Sequence, residues 1–495
     1  MAQSIFGTSL SANATGVSRN VAYKFEVNWY NTWDSLGSWT DESVNVESIS
    51  GEMRLSGFGA GLSKTGNTIS NRATISLRNT GNRYSACDRY LVPARIQMGF
   101  YNGATPELLD QFAGVIVDPK EQTITKKVSF TCADRAAVFA EEKAITGMYT
   151  NQTVEDWLAI LATEADIPAG DQILDEGMFT LPFCWLDDEP LTSEMQAVAE
   201  ADGGNLYFNK SGSLIYENMY HWLIEEDSLT TASTFDFTIK SFQELEPEQT
   251  HKEIYTSAIV EHQARSQGSV DIVYSRDDVI YVGPGAAASI KARLTKPCTT
   301  VYDAIEDTDY LTLTGGGMRT SGCIAVVGVA YAQQVDLEFT NSNPSYALYI
   351  YDFQLRGDPL FGGPVNEEKY ISTCISGIKE FEIRGNPYIQ GKGQAEALGT
   401  FYRDRLMESR IIYHLKGARG IPWLELGDKV SLTESDSAIT TCAYIIGMTW
   451  QFRPGESYTM DVDMLSACSL YPIAASEYFV MDNSELGTSS CALFY

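Results

Sequence analysis

What most constrains this chain is a recurring two-residue alternation. In Tyr23-Lys-Phe25-Glu-Val27-Asn-Trp29 every second side chain is apolar, the pattern of a strand with one face in a core and one in water. The same signature runs through residues 44–55, through Ala73-Thr-Ile75-Ser-Leu77 and through Ile96, Met98 and Phe100, and it returns at 112–118 and 127–134. Asn79-Thr-Gly81-Asn82 supplies residue types that tolerate positive φ, which predicts a hairpin turn. Residues 21–144 are therefore expected to form an antiparallel β domain, a sandwich or barrel, behind an N-terminal arm of residues 1–20.

The period then changes. Thr153 is a capping residue with Asp156 three places on, and Val154, Trp157, Leu158 and Leu161 share one helical face, so an amphipathic helix starts there. Pro190 opens a second, with Leu191, Met195, Val198 and Ala199 on one side and Gly203-Gly204 to close it. Residues 206–208 and 214–216 flank Asn209-Lys-Ser-Gly212 as a compact hairpin. Residues 145–239 thus read as an α+β insertion. Strand patterns resume, and one more helix, from Gln394 to about Ser409, carries Leu398, Phe401, Tyr402 and Leu406 for burial against another sheet. Strands at 411–415, 429–432, 444–452 and 458–464 follow. The expected fold is mainly β with a small α+β insertion: two β barrels or sandwiches, the second from residues 240–265 and 351–467, an inserted β-rich region at 266–350, and a tail at 468–495.

The charge balance removes one class of function. Sixty-five acidic side chains against 35 basic ones leave a net charge of −30, and a surface that neutralises phosphates needs clustered Lys and Arg. Nine cysteines stand singly with no C-x-x-C pair, which disfavours zinc, iron–sulfur and thioredoxin-like centres and reads as buried small hydrophobes. The first residues are polar and small, unlike a secretory leader, so synthesis in a reducing cytoplasm is expected and the sequons at Asn13, Asn151 and Asn209 are idle. No run of apolar residues is long enough for a membrane-spanning helix.

Catalytic patterns are sparse. There is no G-x-S-x-G and no H-E-x-x-H, and His221, His251, His262 and His414 lie in or beside strand-like segments, as polar or interface histidines. The stretch 57–65 resembles a phosphate loop only superficially, because Ser63 stands where a glycine must precede the lysine and no helix follows. Gly283-Pro-Gly285 is weaker still. Asp187-Asp188-Glu189 and the group Asp303, Glu306, Asp307 and Asp309 offer carboxylates that could cleave a glycosidic bond or hold calcium. The first lies just before a helix, where negative charge is favourable in any case, and the second lacks D-x-D-x-D-G spacing. Both read as solvated acids. No catalytic, cofactor or metal residue is assigned, no cofactor is expected, and the chain is not read as an enzyme.

Four stretches carry a family resemblance. Ala73 to Ser85 contains a strand, an Asn turn and an Arg-Tyr-Ser sequence. Phe112-Ala-Gly-Val-Ile-Val-Asp118 is followed by Val128 to Asp134. The third runs from Thr153 through Ala201-Asp-Gly-Gly-Asn-Leu-Tyr-Phe208 and Gly212-Ser-Leu-Ile-Tyr216. The fourth couples Phe353-Gln-Leu-Arg-Gly357-Asp-Pro359 to residues 394–409 and Leu424-Glu-Leu-Gly427-Asp428-Lys-Val430. In this order they resemble the tail-tip hub, or minor tail protein, family of long-tailed bacteriophages, a baseplate-hub type of virion structural protein. The family turn commonly reads Asp-Gly where this chain has Gly81-Asn82, and Thr131 to Asp134 is one residue shorter than the family strand. The resemblance assigns no role to the 266–350 insertion.

That resemblance implies a homotrimer at the end of the tail tube in the virion. Its partners would be two further copies of itself, the tail tube or distal tail protein, the tape-measure protein and a tail fibre or receptor-binding protein. DNA would meet it only in passing through the lumen at ejection, and no stable membrane insertion is implied. An acidic bore fits this independently, since counterion release drives DNA onto basic surfaces. Two other readings remain open. Tyr23, Trp29, Trp33 and Trp39 could serve a carbohydrate-binding, adhesin-like virion protein, though such rings more often fill cores. The carboxylate clusters could serve a cell-wall-degrading tail enzyme. The apolar end, Cys491-Ala-Leu-Phe-Tyr495, reads as a docking peptide.

Overall fold

A computed structural model describes residues 20–29, 39–55, 71–85, 90–140, 142–224, 231–236, 242–250, 254–321, 323–371, 379–406, 410–434 and 439–467. The arm before residue 20, the loop at 57–65, Trp33, Cys87, His251, Cys374 and the 468–495 tail lie outside the described residues.

The alternating segments assemble into one thirteen-stranded sheet. Its first half runs, in spatial order, Val46–Arg54, Arg72–Arg78, Lys127–Asp134, Thr105–Gln122, Val92–Asn102, Val21–Val27 and Thr40–Asp41. Its second half runs Glu244–Thr250, Arg410–Arg419, Thr459–Ser466 and Ile439–Phe452, with Lys429–Glu434 also on Ile439–Phe452 and Thr231–Asp236 parallel to it. The halves are continuous because residues 49–54 pair antiparallel with 447–452, Ile49 opposite Phe452 and Arg54 opposite Gly447. One core serves both: Phe25, Phe100 and Phe130 from the first half meet Met448, Trp450 and Met464 from the second in a single buried cluster. Burial of each such side chain contributes about 1.5–3 kcal/mol.

The hairpin expected at 79–82 does not form. Gly81 and Asn82 do take positive φ, 73° and 58°, and the Asn79 side-chain oxygen accepts the Tyr84 N–H at 3.0 Å. Yet Arg72–Arg78 lies between Val46–Arg54 and Lys127–Asp134, while the next strand, Val92–Asn102, pairs with Val21–Val27 and Thr105–Gln122. The turn opens a crossover. Turn residues set the local direction of the chain, whereas the burial pattern of the whole sheet chooses the partner.

A second core lies beside this sheet. Helix Val154–Glu164 begins at Thr153, whose hydroxyl accepts the Asp156 N–H, and buries Val154, Trp157, Leu158 and Leu161. Helix Leu191–Ala201 buries Leu191, Met195, Val198 and Ala199 against it, and Gly203 at φ 67° ends it. Helix Lys392–Leu406 joins the same core and packs on strands Ser257–Gln267 and Phe353–Ile371. Those two strands pair as far as Gln267 opposite Leu360. Beyond that point residues 268–359 form a lobe with a third core of its own, including Val273, Leu337, Phe339, Ile350 and Phe353.

Candidate functional site

Two places join the parts of the molecule, and both are built from residues far apart in sequence. The first is the seam between the halves of the sheet. Trp450 stands opposite Gly51, and a Cβ on Gly51 would lie 2.2 Å from the Trp450 Cζ2, so only glycine lets the indole cross the neighbouring strand. On the other face alternation turns Ser50, Glu52, Thr74, Thr449, Gln451 and Asp461 outward. These residues, with Arg72 and Thr131, line a shallow concavity of about 450 Å³ that straddles the seam.

A row of charges crosses the same outer face. Arg54 reaches over the intervening strand at Gly447 to pair with Asp463, where a Cβ would come within 3.4 Å of both side chains. Asp463 also meets His414 Nδ1 at 2.7 Å, and His414 Nε2 meets Glu248 at 3.0 Å. Burial alone would lower the His414 pKa; the hydrogen bonds to Asp463 and Glu248 outweigh it and hold the ring above its ordinary value. Lys416 pairs with Glu246 at 2.5 Å, and in the first half Lys127 and Arg78 share Glu47 at 2.6 and 3.6 Å. The face is therefore of both signs, each of these cations held by a carboxylate, where the net charge alone favours an acidic one.

The second place fastens three parts together. Lys210, in the turn of the Asn205–Phe208/Leu214–Glu217 hairpin, is only 1% exposed. Its ammonium donates to Gln111 Oε1 and to the Pro422 carbonyl, both at 3.1 Å. Gln111 belongs to the first half of the sheet; it also donates to Pro422 O at 2.6 Å and accepts from the Tyr458 hydroxyl at 2.9 Å. Burial pushes Lys210 down to about 8 against the charges of Glu425, Asp428 and Asp110, and pushes the Asp428 carboxyl up to about 6. Nearby, Glu217 accepts from the Tyr207 hydroxyl at 2.9 Å and from the Trp222 indole at 3.0 Å, and Trp222 stacks on Tyr444 of the second half with ring centroids 5.2 Å apart. His221 sits in this neighbourhood, 2.7 Å from Asp175 and 3.6 Å from Glu217. Sequence reasoning placed Lys210 only in a turn; a lysine there carries no local signal of burial.

The carboxylate clusters do not converge. Asp187 pairs with Arg293 of the lobe at 2.5 Å and Asp188 with Lys143 at 3.3 Å. Asp303 accepts the Val327 N–H, Asp307 pairs with Arg319, and Asp309 accepts from Ile305 N–H and Arg356 Nε. Among the described residues no group of three or more His, Cys, Asp or Glu side chains is placed to hold a metal ion. His262 is buried on Ser257–Gln267, its nearest carboxylate Glu368 at 3.7 Å. Cys132, Cys184 and Cys298 are buried free thiols. Of the aromatic residues weighed for sugar binding, the three that are described are engaged elsewhere: Tyr23 packs on Phe452, Trp29 lies near Tyr84 and Phe130, and Trp39 is under the Arg95 guanidinium. No helix among the described residues is long and apolar enough to cross a membrane.

No family model matches the chain, and no curated protein matches it. Solved structures do. The tail protein from Neisseria meningitidis MC58 aligns over 92% of this chain and 98% of its own, with 8% identity and a TM-score of 0.50. The prophage MuSo2 tail protein from Shewanella oneidensis aligns over 91% and 100%, with 10% identity and a TM-score of 0.48. A prophage tail protein from Listeria monocytogenes EGD-e aligns over 92% and 97%, with 9% identity and a TM-score of 0.40. At these identities the likeness speaks for the fold, which this chain shares with the Neisseria protein.

Proposed function

We propose that the chain is a structural protein of a phage-type tail, a hub in which three copies form a ring at the end of the tail tube. The observation that carries this reading is the seam: two half-sheets within one chain already pair edge to edge, with a single core behind them and a polar face in front. Three edges are left among the described residues, one of them Thr231–Asp236 beside Lys429–Glu434, and the other two suit a neighbour. Thr40–Asp41 covers Val21–Val27 only at Glu26 and Val27, and Glu244–Thr250 is the last strand on its side among the described residues. Because these edges differ, a contact between them in successive copies is head-to-tail, the kind of contact that makes a ring when its rotation closes. Pro247 and the acids Glu244, Glu246 and Glu248 guard one of them against indiscriminate pairing. The fold shared with a tail protein supports the same reading.

In this arrangement the outer face of the sheet lines the bore. Arg54, His414, Lys416, Lys127 and Arg78 on it are each held by a carboxylate, so a passing polyanion finds no cluster of free cations in that row. The tube and tape-measure proteins would meet the ring from one side and a fibre or receptor-binding protein from the other, and the role is conformational, without turnover. Electron cryo-microscopy of the purified chain at high concentration, alone and mixed with its tube protein, tests this. A threefold ring coaxial with the tube is expected; a chain that stays monomeric under both conditions refutes the proposal.

A further inference from the structure

Half of the exposed large apolar side chains among the described residues fall between Val270 and Tyr346, in the lobe to which the proposed ring assigns no task. One of them, Tyr281, stands on a three-stranded sheet made by Ile280–Val282, Leu348–Tyr351 and Leu311–Thr314, with Leu348–Tyr351 in the middle. Ile280, Val282, Leu348, Ile350 and Thr312 are buried beneath it. Alternation therefore turns Tyr281, Tyr349, Tyr351, Leu311 and Leu313 to the other face. The register sets them in a compact array: Tyr281 and Leu313 stand opposite Tyr349 on its two sides, and Leu311 stands opposite Tyr351. The Tyr281 and Tyr349 ring centroids are 5.4 Å apart at 62°. Tyr281 is 56% exposed, and the others are half-buried. At the rim Gly315 leaves the Tyr349 edge open, where a Cβ would come within 3.5 Å of its ring.

We propose that this face binds a neutral glycan, with pyranose rings laid on the tyrosines. The electron-rich face of an aromatic ring attracts the weakly positive C–H groups of a sugar, and a phenol offers a hydroxyl at its tip for the sugar's own hydroxyls. None of the five side chains is charged, and the cation beside them, Arg319 in the bridge opposite Leu313, is paired with Asp307, so the array itself does not select an anionic polymer. The size of the array decides against a protein: a stable interface takes about 20–30 residues a side, whereas five side chains on three short strands match two or three sugar rings. The inference stands apart from the ring proposal and holds or fails on the lobe alone.

The test is isothermal titration of the full chain with three neutral probes, cellotetraose, maltotetraose and chitotetraose, extended to a glycan array for linkages beyond these. Saturable binding of a neutral oligosaccharide is expected. Tyr281→Ala is expected to weaken it at least tenfold and Tyr281→Phe to retain most of it, with circular dichroism unchanged because the Tyr281 ring lies outside the lobe core. Tyr349→Ala provides a second, independent loss. Absence of binding to any neutral glycan, undiminished binding by both alanine variants, or a preference for acidic polysaccharides would overturn the proposal, as would a protein partner that occupies the face instead.

Discussion

The large sheet and the lobe are both antiparallel β structures, yet they turn opposite chemistry to solvent. On the large sheet the outward positions hold Ser, Thr, Gln and paired charges, as in the row Glu248, His414, Asp463 and Arg54. On the lobe's three-stranded sheet the equivalent positions hold Tyr281, Tyr349, Tyr351, Leu311 and Leu313. The same alternation produced both, because the period of two fixes only which residues face away from a core. What stands on the away side is freer of folding constraints, and the two faces offer different contacts, hydroxyls and paired charges on one and tyrosine rings on the other. The second difference is in the cores. The two halves of the sheet share one, whereas the lobe has its own and meets the remainder through its stem, the Ala332 N–H to Thr146 O bond at 3.0 Å and the Arg293–Asp187 pair.

The sharpest way to break this contrast is to empty the lobe core. Phe339 is fully buried with its ring 5.0 Å from that of Phe353, and Phe339→Ala should cost about 4 kcal/mol. Differential scanning calorimetry should show the lobe transition moving down while that of the main body stays; a single transition moving as one would mean the cores are coupled. In the main body, Lys210→Met should cost about 3 kcal/mol in urea unfolding, because it removes the charged donor shared by the buried oxygens of Gln111 and Pro422, each of which keeps only one neutral donor. The exposed pair partner Lys143 is the control, and Lys143→Met should cost under about 1 kcal/mol.

A pH dependence belongs to the main body as well. Burial pushes the Asp202 carboxyl from its ordinary 3.8 up to about 7, against the pull of the Tyr216 hydroxyl and the Met178 N–H. Between those values the unfolded chain has released a proton that the folded chain keeps, so stability from this group is full below about pH 4, falls as pH rises towards 7, and then levels off. Asp202→Asn should flatten that stretch of the curve of Tm against pH, while the lobe transition is unmoved. The smallest effect is expected at the seam itself: Arg54→Ala should cost under about 1 kcal/mol, since the pair with Asp463 is partly in water. A double-mutant cycle with Asp463→Ala measures it, and a value of several kcal/mol would make the charge row a fastener.

Local features were legible in the sequence and distant pairings were not. Thr153 caps its helix through the Asp156 N–H as its residue type implies, and the helix from Gln394 was placed within a few residues because its apolar positions recur at helical spacing. The strand Tyr444 to Phe452 was recognised, but nothing in its pattern names Ile49 to Arg54, about four hundred residues earlier, as its neighbour. The fit of Trp450 over Gly51 exists only once both strands are side by side. For the same reason the positive φ at Gly81 and Asn82 was readable while the strand pairing beyond it was not. Tyr23, Trp29 and Trp39, singled out near the N-terminus, are packed or paired, and the tyrosines of the lobe face, split between residues 281 and 349–351, converge only through the sheet.

The stem of the lobe has a consequence for the history of such chains. The polypeptide leaves the main body at Gln267 and comes back at Leu360, and these two residues are partners in one ladder. A foreign module whose own termini lie close together could be spliced in at that point without lengthening any connection or disturbing a strand of the large sheet. Recombination at that point can therefore exchange the lobe while leaving the pairing of the large sheet untouched.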